Sequence, residues 1–144
     1  MDLDWEKLVK RYVWHDERTP YFTRVAHLTR RQAHYELFAY ALFMGVLFGV
    51  VSVVTLPGWV SIYAFSVCCA AVMLGATRHA WAALWCALAP LAALGYFALH
   101  GFPAGFAVAD KVLLVAVALA GLLYSRRVVA VARAWPSLRD PTAE

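Results

Sequence analysis

No charged side chain stands in the middle of any long apolar stretch of this chain. The acidic and lysine groups nearest to those stretches, Glu36, Asp110 and Lys111, fall at their ends. Ionisable residues at mid-depth mark most ion and substrate pathways through membranes. Proton-coupled transport therefore has one candidate group, Glu36, and a position near a span end favours its pairing with Arg78, His79 or Arg126 instead. Also absent are G-x-S-x-G, H-E-x-x-H, a paired acidic motif and a phosphate-cradling glycine loop, so hydrolysis and phosphoryl transfer have no signature. The chain has 3 cysteines and no C-x-x-C. Adjacent Cys68 and Cys69 point about 100° apart on a helix and do not converge on a metal. All three, with Cys86, read as small buried hydrophobes. No internal repeat is evident, which argues against an inverted-repeat transporter. The acidic, amphipathic N-terminus has no basic n-region and cleavage site, so the first span is expected to be an uncleaved insertion signal.

What is present is apolar sequence in long runs. The 144 residues are 63% hydrophobic and 15% charged, with a mean hydropathy of +0.64. Soluble domains carry about 45–50% apolar and about 25% charged residues. From Tyr35 to Leu56 the chain reads YELFAYALFMGVLFGVVSVVTL, with no charge after Glu36. About 20 apolar residues at 1.5 Å per residue cross a hydrocarbon core of roughly 30 Å, and a lone segment there must be helical to satisfy its backbone.

Three further runs follow, and the expected spans are 30–56, 60–76, 80–99 and 111–133. Thr29-Arg30-Arg31-Gln32 has the capping-box form that starts a helix. Tyr35 and Tyr40 suit an interfacial region. Gly45 and Gly49 form a GxxxG step for close helix approach. Pro57-Gly58 and Thr77-Arg78-His79 make short turns, so successive spans are antiparallel neighbours. Pro90 is expected to kink the third span, and Asp110 to cap the fourth.

The fold class is thus an all-α membrane protein: a four-helix transmembrane bundle (29–134) preceded by a cytoplasmic arm (1–28) and followed by a tail (135–144). All of the 13 basic residues except Lys111 fall on one side of this arrangement. The positive-inside rule assigns that side, and both termini, to the cytoplasm of a bacterial-type inner membrane.

In the arm, Trp5, Leu8, Val9, Tyr12 and Val13 follow the spacing of an amphipathic helix. Thr19-Pro20 ends it, and Tyr21, Phe22 and Arg24 extend the aromatic and basic character. These eight residues are the candidate partner-binding set, since aromatics and arginine dominate interfaces. His34 and His79, at span ends on the same side, are the candidate haem or metal ligands. Positions at helix mouths suit hydrogen bonding better than ligation, and no cofactor is expected.

The function expected from this pattern is non-catalytic: an accessory, stabilising or assembly subunit of a larger inner-membrane complex, with an energy-transducing complex among the candidates. A small oligomeric transporter or channel is the alternative, and a haem-binding electron carrier the third reading. Expected partners are other integral membrane subunits and lipids, with a homo-oligomer as a further option and nucleic acid excluded.

Overall fold

A computed structural model describes residues 23–139. These residues form four long helices: α1 (Arg30–Val54), α2 (Trp59–Thr77), α3 (Ala80–His100) and α4 (Val108–Ala134), with short 3-10 turns at Val25–His27 and Trp135–Ser137. All four are long and apolar enough to cross a membrane. The described residues contain no strand. The expected amphipathic helix, with Trp5, Leu8, Val9, Tyr12, Val13, Tyr21 and Phe22, lies outside the described residues.

Local chemistry sets each helix end. At the start of α1 the Gln32 N–H donates to Thr29 Oγ1 at 3.3 Å, and the Thr29 N–H donates to Gln32 Oε1 at 3.1 Å. Two backbone donors that would otherwise lack partners are satisfied by this reciprocal cap. At the end of α1 the Thr55 hydroxyl donates to the Val51 carbonyl at 2.7 Å. α2 stops at Arg78, whose left-handed backbone (φ 55°) closes the last turn with an N–H bond to Leu74 O at 3.0 Å. α3 runs through Pro90 without interruption and ends at Gly101, φ 77°. α4 starts at Val108, so Asp110 lies inside its first turn and is not the preceding cap. Its carboxylate reaches back to accept the Ala107 N–H at 3.1 Å, a favourable place for negative charge at a helix start.

The helices follow one another around the bundle. α1 lies along α2 for most of its length, and α3 lies along α4. α2 and α3 share a shorter seam, and α1 meets α4 over the shortest stretch of all. Small residues make the first of these interfaces close. A methyl group at Gly45, Gly49 or Gly75 would sit 3.7 Å from Ala71 Cβ, 3.7 Å from Cys68 Sγ or 3.5 Å from Ala41 Cβ. The GxxxG face of α1 is therefore covered by α2 of the same chain. Of the cysteines only Cys86 is fully buried; Cys68 is half-buried against the Gly45 carbonyl, and Cys69 is exposed on the outer face of α2.

The buried core is concentrated toward one end. α4 buries Ser125, Val128, Val131 and Ala132, but nothing between Val108 and Tyr124. α1 buries Ala33, Glu36, Leu37, Tyr40, Ala41 and Met44 in its first 15 residues, and only Ser52 beyond them. At this same end the Arg30 N–H donates to the Arg139 carbonyl at 3.1 Å, so both ends of the described chain come together. Leu28 is buried there too, in the cluster around Leu37 and Val128. The opposite end, carrying the 55–58 and 101–107 loops, is more open.

Candidate functional site

Two polar clusters and one apolar groove stand between α1 and α4. The first cluster centres on Glu36, which is fully buried. Six residues beyond Arg30, it lies about 9 Å along α1 from that residue at 1.5 Å per residue. Arg127 Nε donates to Glu36 Oε1 at 2.6 Å, and Arg127 Nη2 donates to Oε2 at 3.0 Å, a two-pronged pair. The Tyr124 hydroxyl donates to the same Oε1 at 3.1 Å. Arg127 Nη1 donates to the Thr23 carbonyl at 2.6 Å. One arginine thus joins α4, α1 and the segment entering α1.

The expectation for Glu36 needs correction. Arg78, His79 and Arg126 are not its partners, and the carboxylate is not an exposed interfacial group. Helix geometry explains the difference. Tyr124, Arg127 and Val131 share one face of α4 at three- and four-residue spacing. Arg126 is turned about 100° away and is exposed.

The second cluster lies one turn further along. The Ser125 hydroxyl donates to the Gly121 carbonyl at 2.7 Å. Its hydrogen is therefore committed, and in the 2.9 Å contact between Tyr40 Oη and Ser125 Oγ the tyrosine is the donor. Tyr40 is thus a buried inter-helix residue. Its ring stands 6.0 Å from that of Tyr124.

Beyond these hydroxyls α1, α3 and α4 enclose a groove of about 490 Å³. Tyr40, Phe43 and Phe48 line it from α1, Pro90 and Phe97 from α3, and Gly121 from α4. No charged residue lines it. Gly121 brings α4 close to the proline: a methyl group at this position would lie 3.5 Å from Pro90 Cγ.

The two candidate histidines stand in different settings. His34 Nδ1 faces Arg78, with Nε at 3.1 Å and Nη2 at 2.5 Å. Guanidinium nitrogens only donate, so Nδ1 acts as the acceptor. His79 precedes α3 as an exposed residue whose carbonyl accepts the Ala82 and Ala83 N–H groups. Among the described residues no three of His, Cys, Asp and Glu come together in a way that could hold a metal. Arg30 and Arg78 each lie 5.2 Å from the centre of the Trp135 ring, a pair of cation–π contacts that ties α1, α2 and the end of α4. Arg24, from the candidate partner-binding set, is exposed, and its carbonyl accepts the His27 N–H at 2.9 Å.

The chain matches no family model, no curated protein and no solved structure.

Proposed function

We propose that this chain is a non-catalytic accessory, stabilising or assembly subunit of a larger complex in a bacterial-type inner membrane. In this reading the four helices form a transmembrane bundle with both termini in the cytoplasm. The observation that carries the reading is the engagement of Glu36. Its carboxylate is the strongest candidate for a transport group, and it is held by two Arg127 nitrogens and the Tyr124 hydroxyl. A carboxylate that carries protons must exchange partners. This one has three donors fixing α1 to α4, a static role. The same arginine holds the Thr23 carbonyl, which fixes where the N-terminal arm leaves the bundle. The arm carries Trp5, Leu8, Val9, Tyr12, Val13, Tyr21 and Phe22. A helix of about 12 residues is marginal alone in water, and a membrane anchor is redundant beside four spans. A protein partner at the cytoplasmic face suits it best.

The test is affinity purification in mild detergent followed by native mass spectrometry. The full chain should retain other integral membrane subunits. Deleting residues 1–22 keeps Thr23 and the buried Leu28, so the truncated chain should fold and insert but lose those subunits. Retention at unchanged yield would remove the arm from the interface. A homo-oligomer with no foreign subunit would favour the transporter reading.

Orientation is checked separately. Reporter fusions after Pro57 and Gly105 should report the outside, and one after Arg78 the inside. An inside signal at Gly105 would overturn the four-span assignment.

A further inference from the structure

We infer that the outer face of α1 and α2 binds an anionic phospholipid, with its phosphate at Arg78 and one acyl chain in a second groove that starts beside that residue. The inference rests on the reading of the four helices as membrane spans. Positive charge at the mouth of the groove, and the continuity of mouth and groove, carry it.

Arg78 follows α2 with a left-handed backbone, φ 55°. Glycine takes that conformation without strain, so the turn itself does not require an arginine. The guanidinium reaches His34 Nδ1 with Nε and Nη2, the Ala76 carbonyl with Nη1 at 3.0 Å, and the Trp135 ring. None of these partners is an acid. Three of the five N–H donors of an arginine are used, which leaves one hydrogen on each terminal nitrogen. The described residues include two acidic side chains. Glu36 is engaged by Arg127, and Asp110 lies at the opposite end of the bundle. Arg30 stands as close to the Trp135 ring as Arg78 does, so the two positive charges are within about 10 Å of each other. Like charges this near repel, and a phosphate beside them offsets the repulsion. The planar guanidinium also matches the geometry of phosphate oxygens.

Next to this charge, α1 and α2 leave a groove of about 520 Å³ on their outer face. Phe38 and Ala76 line its near end, and both are tied to the Arg78 cluster. The Phe38 ring stands 6.1 Å from the His34 ring, and the Ala76 carbonyl is the one that Arg78 holds. From there the groove follows α1 to Val46 and α2 back to Cys68, eight residues and about 12 Å along each helix. Gly45 and Gly75 contribute no side chain to it, and no charged residue lines it. Lipid tails are as apolar as such walls, so shape rather than hydrophobicity seats a chain there.

The two halves together select the occupant. Arg78 stands at a span end, the level of lipid headgroups, and the groove leads from it toward the hydrocarbon. Trp81, exposed at the start of α3, suits the same level. A soluble anion would satisfy Arg78 but leave the groove unfilled. A zwitterionic lipid would fill the groove but bring its own cation close to Arg30 and Arg78. A phospholipid with a net negative charge fits both.

The experiment uses the full-length protein in a neutral detergent, with dioleoyl phosphatidylglycerol and dioleoyl phosphatidylcholine as probes. Their tails are identical, and only the first carries a net charge. Native mass spectrometry should show the wild type binding phosphatidylglycerol about five- to tenfold more tightly, between the worth of an exposed ion pair and that of a charge-assisted hydrogen bond. Arg78→Gly keeps the left-handed turn and should abolish that preference. Arg78→Gln, which retains a side chain, should do the same. Arg126→Gln removes an exposed arginine nine residues before Trp135 and should leave the preference in place. Ala76→Phe, which fills the near end of the groove from an exposed position, should weaken binding of both lipids. Glycerol 3-phosphate, a head without chains, should not displace phosphatidylglycerol at equal concentration. Equal affinity of the wild type for the two lipids would overturn the assignment. So would equal losses from Arg126→Gln and Arg78→Gly, because diffuse surface charge would then account for the binding. Displacement by glycerol 3-phosphate, or unchanged binding by Ala76→Phe, would overturn it as well, since no chain would lie in the groove. Binding in detergent does not depend on orientation, so its outcome is separate from that of the reporter fusions.

Discussion

Glu36→Ala should destabilise the folded protein by about 3 kcal/mol, while Glu36→Leu combined with Arg127→Met should recover most of that loss. Removing one partner of a buried ion pair costs about 3–5 kcal/mol because the other charge stays buried and uncompensated. The lower end applies here: Glu36 is 0% exposed, but the Arg127 side chain is 20% exposed and keeps access to solvent. Arg127 would also retain the Thr23 carbonyl. The double replacement removes both charges and restores apolar packing, which in buried pairs is often neutral or stabilising. Reversible unfolding in mixed micelles, followed by helicity, measures both variants. A loss below about 1 kcal/mol for Glu36→Ala would mean the pair behaves as a solvated surface pair. If the double variant were as unstable as the single one, the stabilisation would come from the shape of the two side chains rather than from their charges. Glu36→Gln is the milder probe. Its amide oxygen can still accept from Arg127, so its loss should fall between the other two.

The buried position of Glu36 is the main feature that sequence reasoning places wrongly. The four long helices are legible because a run of about 20 apolar residues between turn signals has few alternatives. Expected boundaries of 30–56, 60–76, 80–99 and 111–133 fall within a few residues of the four helices. The Thr29 cap is legible for the same local reason, as its partner is three residues away. Which face of each helix turns inward is not. A helix that is apolar all round carries no polar stripe to mark its outside. In α1 the inward face includes Ala33, Glu36, Tyr40 and Met44, and exposed Phe43 and Leu47 are equally apolar. Glu36 therefore looks like a charge at a span end. Its spacing from Ala33 and Tyr40 is the available signal, three and four residues away on the same face. The partner choice between Arg126 and Arg127 depends on the rotation of α4, to which a pair of adjacent arginines gives no clue. The open groove is out of reach in a similar way. It arises because α1 and α4 meet at one end only, a consequence of packing among three helices rather than of any local pattern.

Gly75→Leu should destabilise the bundle by about 1–3 kcal/mol, whereas Gly95→Leu should not destabilise it and should gain up to about 1 kcal/mol. Both glycines lie inside helices, so intrinsic helix propensity favours the larger residue at each. Their surroundings differ. A methyl group at Gly75 would already touch Ala41 Cβ at 3.5 Å, and Ala41 is buried in the α1–α2 seam. Alanine fits there in ordinary contact, but the further carbons of leucine would have to push α2 away from α1. Overpacking of this kind costs about 1–3 kcal/mol in well-packed interiors. The cost should be near the upper end, because this seam is the most extensive in the bundle and Gly45 and Gly49 make it close along its length. Gly95 lies on the exposed side of α3, and a methyl group there would meet nothing within 4 Å. Replacement at that position enters open space, so only the helix-propensity gain over glycine, up to about 1 kcal/mol, applies. The same micelle unfolding measurement compares the two variants directly, with Gly75→Ala as the intermediate case. Equal losses at the two positions would show that α1 and α2 are not held by close approach of their backbones, and that the GxxxG face serves something other than this intramolecular seam.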